Sequence, residues 1–154
     1  MNIIFLDIYG VLNAISKQDK EKRPYNRSDY PLNEDCMNNL VKLVELSNSY
    51  IVILSSHKYV ETGKLILLNE LRKYNLNNRI IGYTDPVYKS KEMAVFAYLN
   101  GLNEKANYLI IDDDNVFKVL KNHFVNINCE LGLTESDVLK CLEKLQLSNT
   151  VKCK

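Results

Sequence analysis

The feature that most constrains this chain is its alternation. Short apolar runs of β-type residues recur between stretches with helical periodicity. The strand candidates are Ile3–Asp7, Tyr50–Leu54, Arg79–Gly82, Tyr108–Asp112 and Phe124–Ile127. In the first helical stretch, Met37, Leu40, Val41 and Val44 follow the i, i+3, i+4, i+7 spacing that puts them on one face. The second covers Val60–Tyr74. The third covers Lys91–Leu99, with Ser90 placed as an N-cap and Gly101 as a stop. The last begins at Thr134, with Asp137 at N3, a Leu133/Val138 pair placed as a hydrophobic staple, and a stripe of Val138, Leu142 and Leu145. Strand–helix alternation predicts an α/β fold: a parallel sheet of about five strands with helices on both faces. The first, second and fourth runs are continuously apolar, as strands covered on both sides should be.

A chain of 154 residues suits a single domain, 1–154. At that size roughly 70% of the unfolded surface can be buried, so no disulfide is needed. Cys36, Cys129, Cys141 and Cys153 show no C-x-x-C spacing, which argues against a zinc knuckle or a redox motif and fits a reducing cytoplasm. No apolar stretch approaches the ~20 residues of a membrane span. The first apolar run is too short for a signal peptide and ends in an acid. A net charge of +1 gives no overall case for nucleic acid and leaves a local basic patch open. Lys17, Lys20, Lys22, Arg23 and Arg27 cluster, but Asp19 and Glu21 sit among them, so this stretch reads as a solvated loop. The polar segment from Asn13 to Pro31 reads as a surface loop over the end of the first strand.

Polar residues collect at strand ends. The first run ends in Asp7, followed by Ile8-Tyr9-Gly10. The second ends in Ser55-Ser56-His57-Lys58, and the fourth in Asp112-Asp113-Asp114-Asn115. Singly, each has an ordinary reading: a strand-end acid as a turn former, Ser55 and Ser56 as helix caps, Asp112–Asn115 as a solvated turn, His57 as a structural or solvent-facing ring. In a parallel sheet, however, all three ends share one edge, where ligands bind in open α/β folds. Clustered carboxylates repel, and Mg²⁺, which prefers hard oxygen ligands and phosphate oxygens, relieves that repulsion. These residues together point to a Mg²⁺-dependent phosphate site with Asp7 as candidate nucleophile.

These residues resemble the motifs of the haloacid-dehalogenase (HAD) superfamily. Its first motif is matched by Phe5-Leu6-Asp7-Ile8-Tyr9-Gly10-Val11-Leu12, and its second, a Ser or Thr after strand two, by Ser55. The third, a basic residue at a helix start, is matched by Lys89 or Lys91, and the fourth, an acidic pair, by Asp112-Asp113. Gly10-Val11-Leu12-Asn13, Ser55-Ser56-His57-Lys58 and Gly132-Leu133-Thr134 further resemble small HAD domains related to RNA-repair proteins. The resemblance implies a three-layer Rossmann-like fold without a large cap. It implies that Asp7 forms an aspartyl-phosphate, and that Mg²⁺ rests on the Asp7 carboxylate, the Tyr9 carbonyl and Asp113, with Asp112 alongside. Ser55, with Ser56 beside it, and the motif-three lysine would hold phosphoryl oxygens. Lys89 is preferred over Lys91 because its spacing to Glu92-Met93 resembles the family's basic-x-x-Glu-Ile run. Lys58 would add a cation where relatives carry arginine. A capless site is open, which goes with large or macromolecular phosphorylated substrates; nucleic acid stays open among them, and no membrane partner is expected.

Tyr9 stands where HAD phosphatases carry a second aspartate, the group that protonates the leaving oxygen. Three readings follow. The first is a slow or specialised phosphatase in which another group replaces the acid. The second is a catalytically impaired phosphate-binding or regulatory module. The third is a dehalogenase, since haloacid dehalogenases also carry Asp-x-Tyr-Gly. The third ranks last because the chain lacks room for their cap and keeps an acidic fourth motif.

Overall fold

The structure is a computed structural model and describes residues 1–14, 32–54 and 61–150. Its strands are β1 (Asn2–Leu6), β2 (Ser49–Ile53), β3 (Ile80–Tyr83), β4 (Asn107–Asp112) and β5 (Phe124–Asn126), in the order β3-β2-β1-β4-β5. Every neighbouring pair is parallel. The described α-helices are α1 (Glu34–Ser47), α2 (Glu61–Arg72), α3 (Lys91–Asn100) and α4 (Glu135–Thr150). The α/β fold expected from the alternation is therefore present, and no strand limit differs from the one read in the sequence by more than one residue.

Period-two alternation sorts the side chains of β1 and β4 onto two faces. Ile4 and Leu6 of β1 join Leu109 and Ile111 of β4 in a cluster with Met37 and Leu40 of α1, Leu67 and Leu71 of α2, and Val138 and Leu145 of α4. Ile3 and Phe5 face the other way, with Ile110, against Val95 of α3 and against Phe117, Leu120 and Phe124. A central strand buried on both faces must be apolar throughout, and Ile3, Ile4, Phe5 and Leu6 have no exposed surface. In α4 the stripe differs from expectation. The buried ridge is Val138, Cys141 and Leu145, whereas Leu142 is only partly buried.

The helix ends follow local chemistry. Asn33 caps α1, its side chain accepting from Cys36 N at 3.2 Å, and Asn48 ends that helix in the left-handed region with φ 47°. Ser90 caps α3, as expected. At the start of α4, Thr134 and Asp137 cap each other. Thr134 N and Oγ1 donate to Asp137 Oδ2 at 3.1 and 2.7 Å, and Asp137 N donates to Thr134 Oγ1 at 3.3 Å. This is a capping box with aspartate in the position usually held by Glu or Gln.

The chain winds outward from β1 to β2 and β3, then returns across the sheet to β4 and β5. The direction of winding changes between β1 and β4, and the crevice beyond the carboxyl ends of such a strand pair is where open α/β sheets place ligands.

Candidate functional site

Register alone brings two acids together. Phe5 pairs with Ile110 and Leu6 with Ile111, so one step further along both strands Asp7 lies opposite Asp112. The ladder continues through that step, with Asp7 N donating to Ile111 O at 2.9 Å. Counted in twos from Ile3 and Phe5, Asp7 projects to the α3 face, and Asp112 follows Ile110 to the same face. Both are buried, at 4% and 0% exposure. Asp113 completes the group: carboxylate oxygens of Asp7, Asp112 and Asp113 all lie within 4.8 Å of one another.

Lys91, the first residue of α3, reaches into this cluster. Its Nζ lies 2.7 Å from Asp112 Oδ2, 3.4 Å from Asp114 Oδ2 and 3.6 Å from Asp7 Oδ2. Lys91 is there because Ser90 caps the helix and α3 covers the face onto which Asp7 and Asp112 project. Burial opposes the Lys91 ammonium, but the charges of Asp7 and Asp112, the Asp112 hydrogen bond and Asp114 outweigh it and hold the amine above the ordinary lysine range. Burial is also the largest influence on Asp112. It pushes the carboxyl up to about 6 against the opposing pull of Lys91 and of the Asp114 amide. That amide donates to Asp112 Oδ1 at 2.8 Å. Both Asp112 oxygens are therefore engaged by protein groups, one by Asp114 N and one by Lys91.

The turn after β1 is built to bring Asp113 close. Gly10 adopts φ +75°, and a Cβ there would collide with the Asp113 carboxylate, so only glycine leaves the room that carboxylate fills. Gly10 N donates to Asn13 Oδ1 at 3.0 Å, and Leu12 N to Ile8 O at 2.9 Å. Two further segments hold the turn from outside. Asn33 N, at the start of α1, donates to Leu12 O at 2.8 Å, and Leu133 N donates to Val11 O at 2.7 Å. Gly132 permits that approach, with φ +67° and a Cβ position 2.5 Å from Cys36 Sγ and 3.0 Å from Val11 O. The Gly132-Leu133-Thr134 run thus serves the site indirectly, as a brace behind the Asp7 turn.

Of the residues expected from the sequence, Asp7, Asp112, Asp113 and Lys91 come together. Tyr9 is half buried on the same turn, its ring packed against the cluster that includes α1 and α4. Lys89 is where expectation and structure part. It lies exposed before the Ser90 cap, while Lys91, the alternative, is the lysine that reaches the acid cluster. The motif spacing did not resolve this choice because it turns on which residue opens the helix. Ser55, Ser56, His57 and Lys58 lie outside the described residues. Two residues make contacts that the sequence did not assign to them. Asp114 is the third carboxylate around Lys91, and Glu92 Oε1 accepts from Val119 N at 2.8 Å and from Leu120 N at 2.9 Å. Glu92 was visible as a first-turn acid, but its backbone partners had no signal in the sequence.

Three clustered carboxylates supply the hard oxygen donors that suit Mg²⁺, and the Gly10 recess lets one of them approach the turn that follows Asp7. The residues present therefore fit that cation. Fold and site together define an α/β protein with an acid–lysine cluster at the switch point of a parallel sheet. The sequence family described as the HAD domain in Swiss Army Knife RNA repair proteins matches residues 3–138, and the chain belongs to that family. No curated protein and no solved structure matches it.

Proposed function

We propose that this protein is a Mg²⁺-dependent phosphoester hydrolase that works through Asp7. The observation that supports this most strongly is the in-register placement of Asp7 beside Asp112, with Asp113 and Lys91 converging on the same strand ends. In this reading an Asp7 oxygen attacks phosphorus, the bond to the leaving oxygen breaks, and that oxygen takes up a proton. Water then cleaves the aspartyl-phosphate, releasing phosphate and restoring the carboxylate. Mg²⁺ would be held by Asp7 and Asp113, with the Tyr9 carbonyl and Asp112 alongside, and would neutralise phosphoryl oxygens. Lys91 holds the transferring group by charge, as a point cation on a flexible stem. Ser55, Ser56 and Lys58 are the proposed further phosphate contacts, and a cytoplasmic setting fits the free Cys36, Cys129 and Cys141.

Tyr9 sets the expected rate. A phenol with an ordinary pKa near 10 is a poor base at neutral pH, and loss of a positioned acid–base group typically costs 10²–10⁴-fold. The packing of the Tyr9 ring against the core cluster supports a second reading, in which the protein binds phosphate and turns it over poorly. The two are separated by one experiment. Phosphate release is measured with Mg²⁺ on a panel of small phosphoesters and RNA ends carrying 3′- or 5′-phosphate, using the native protein, Asp7→Asn and Tyr9→Asp. The enzyme reading expects slow release that Asp7→Asn abolishes, and Tyr9→Asp should accelerate it by about 10²-fold or more. Phosphate binding without release by the native protein selects the second reading. Release that survives Asp7→Asn would sink the proposed nucleophile.

A further inference from the structure

We propose that Glu92 is a positioning residue for Lys91: its carboxylate fastens the segment after β4 to the first turn of α3 and so fixes where the Lys91 ammonium stands. This rests on the reading of the acid–lysine cluster as a phosphate site. The bland alternative is that Glu92 is a first-turn acid, there only to favour the helix dipole. Two observations argue otherwise. One carboxylate oxygen of Glu92 takes two consecutive backbone N–H groups, Val119 at 2.8 Å and Leu120 at 2.9 Å, from a segment 27 and 28 residues away. A dipole effect needs no such partners. In addition, Glu92 is covalently next to Lys91, whose ammonium contacts Asp112, the last residue of β4, and Asp114, in the segment that follows it, besides Asp7.

The two segments are thus joined at two levels. Lys91 bridges to Asp112 and Asp114 at the strand end, and Glu92 bridges to Val119 and Leu120 farther along. Below them Val95, Phe117 and Leu120 pack in one apolar cluster. A lysine has a long flexible stem, so its ammonium is placed only as well as its backbone is held. Without the Glu92 clasp, the first turn of α3 would keep, among the described residues, only the Lys91 ion pairs as polar ties to this segment. The ammonium would then serve as its own anchor, and its alignment with an incoming phosphoryl group would degrade. Asp7 and Asp113, carried by β1 and by the end of β4, would keep their places.

The test is calorimetric titration of inorganic phosphate, with Mg²⁺ present, into the full chain and its Glu92→Ala, Glu92→Gln and Lys91→Ala variants, beside titration of Mg²⁺ alone. Glu92→Ala should weaken phosphate binding about tenfold or more while leaving Mg²⁺ affinity within about twofold. Glu92→Gln keeps a side-chain oxygen at the same reach and should retain phosphate affinity within about threefold. Hydrogen exchange at the Val119 and Leu120 amides should speed up in Glu92→Ala and stay near native in Glu92→Gln. Unchanged phosphate affinity in Glu92→Ala overturns the proposal, as does an equal loss of phosphate and Mg²⁺ binding. If Lys91→Ala binds phosphate as the native protein does, the phosphate reading of the cluster falls instead, and the role assigned to Glu92 falls with it.

Discussion

At the level of single residues, the cluster contains a conflict that the proposed Mg²⁺ would relieve. Asp112 is buried, and burial lifts its carboxyl from 3.8 to about 6. Between those two values the native state binds more protons at this group than the unfolded chain does. The contribution of Asp112 to stability therefore falls as pH rises through that window, and the carboxylate is most costly above it. A divalent cation offsets that cost only where the carboxylate is ionised. Mg²⁺ should therefore raise the melting temperature clearly at about pH 7.5 and much less at about pH 5, because protonation of Asp112 competes with the metal. Thermal unfolding with and without Mg²⁺ at both values checks this. A larger shift at the lower pH would remove Asp112 from the metal's surroundings. Gly10 stands at the same scale: its positive φ and missing Cβ are both used, the first by the turn and the second by Asp113.

At the level of elements, the helix starts differ in how firmly they are tied. Thr134 and Asp137 exchange three hydrogen bonds in a half-buried setting, whereas Ser90 accepts one from Met93 N at 3.4 Å on the exposed surface. Thr134→Ala should cost about 1–2 kcal/mol and Ser90→Ala about 0.5 kcal/mol or less, as measured by urea unfolding. Equal losses would show that the surface cap matters as much as the reciprocal one. The strands were legible because their signal is local: an apolar run of β-branched residues, closed by an acid or by turn residues, reads directly as a covered strand. Ser90 and Gly101 were legible for the same reason. Lys91 was not separable from Lys89, because two basic residues flanking a cap differ only in which side of the cap they occupy. The Cys141 ridge was missed because cysteine is small and ambiguous in a hydrophobic pattern, although it packs as a core residue here. Burial pushes its thiol up to about 12, as suits a packing residue rather than a reactive one.

At the level of the molecule, two apolar layers clamp one sheet, and the site rests on their shared rigidity. Leu40 is fully buried in the layer that carries α1, α2 and α4, whereas Leu65 is 61% exposed. Leu40→Ala should cost roughly 2–5 kcal/mol, and Leu65→Ala should change stability by no more than about 0.5 kcal/mol, on the same urea scale. A small loss at Leu40 would mean that the layer closes over the gap. The strand order itself was not legible. Alternation calls for a parallel sheet, but the neighbours of β1 are fixed by packing between distant parts of the chain. That order has a consequence for how the protein is made. β1 is the centre of the sheet, yet its β4 partner lies 105 residues downstream. At ordinary rates of synthesis of about 5–20 residues per second, the strand that leads into Asp7 waits about 5–20 s with an apolar edge unfilled. Asp7 meets Asp112, Asp113 and Lys91 only when the last gap in the middle of the sheet closes. The nascent chain thus carries its proposed nucleophile long before it carries a site, and the chemistry proposed for Asp7 would become available only with completion of the fold.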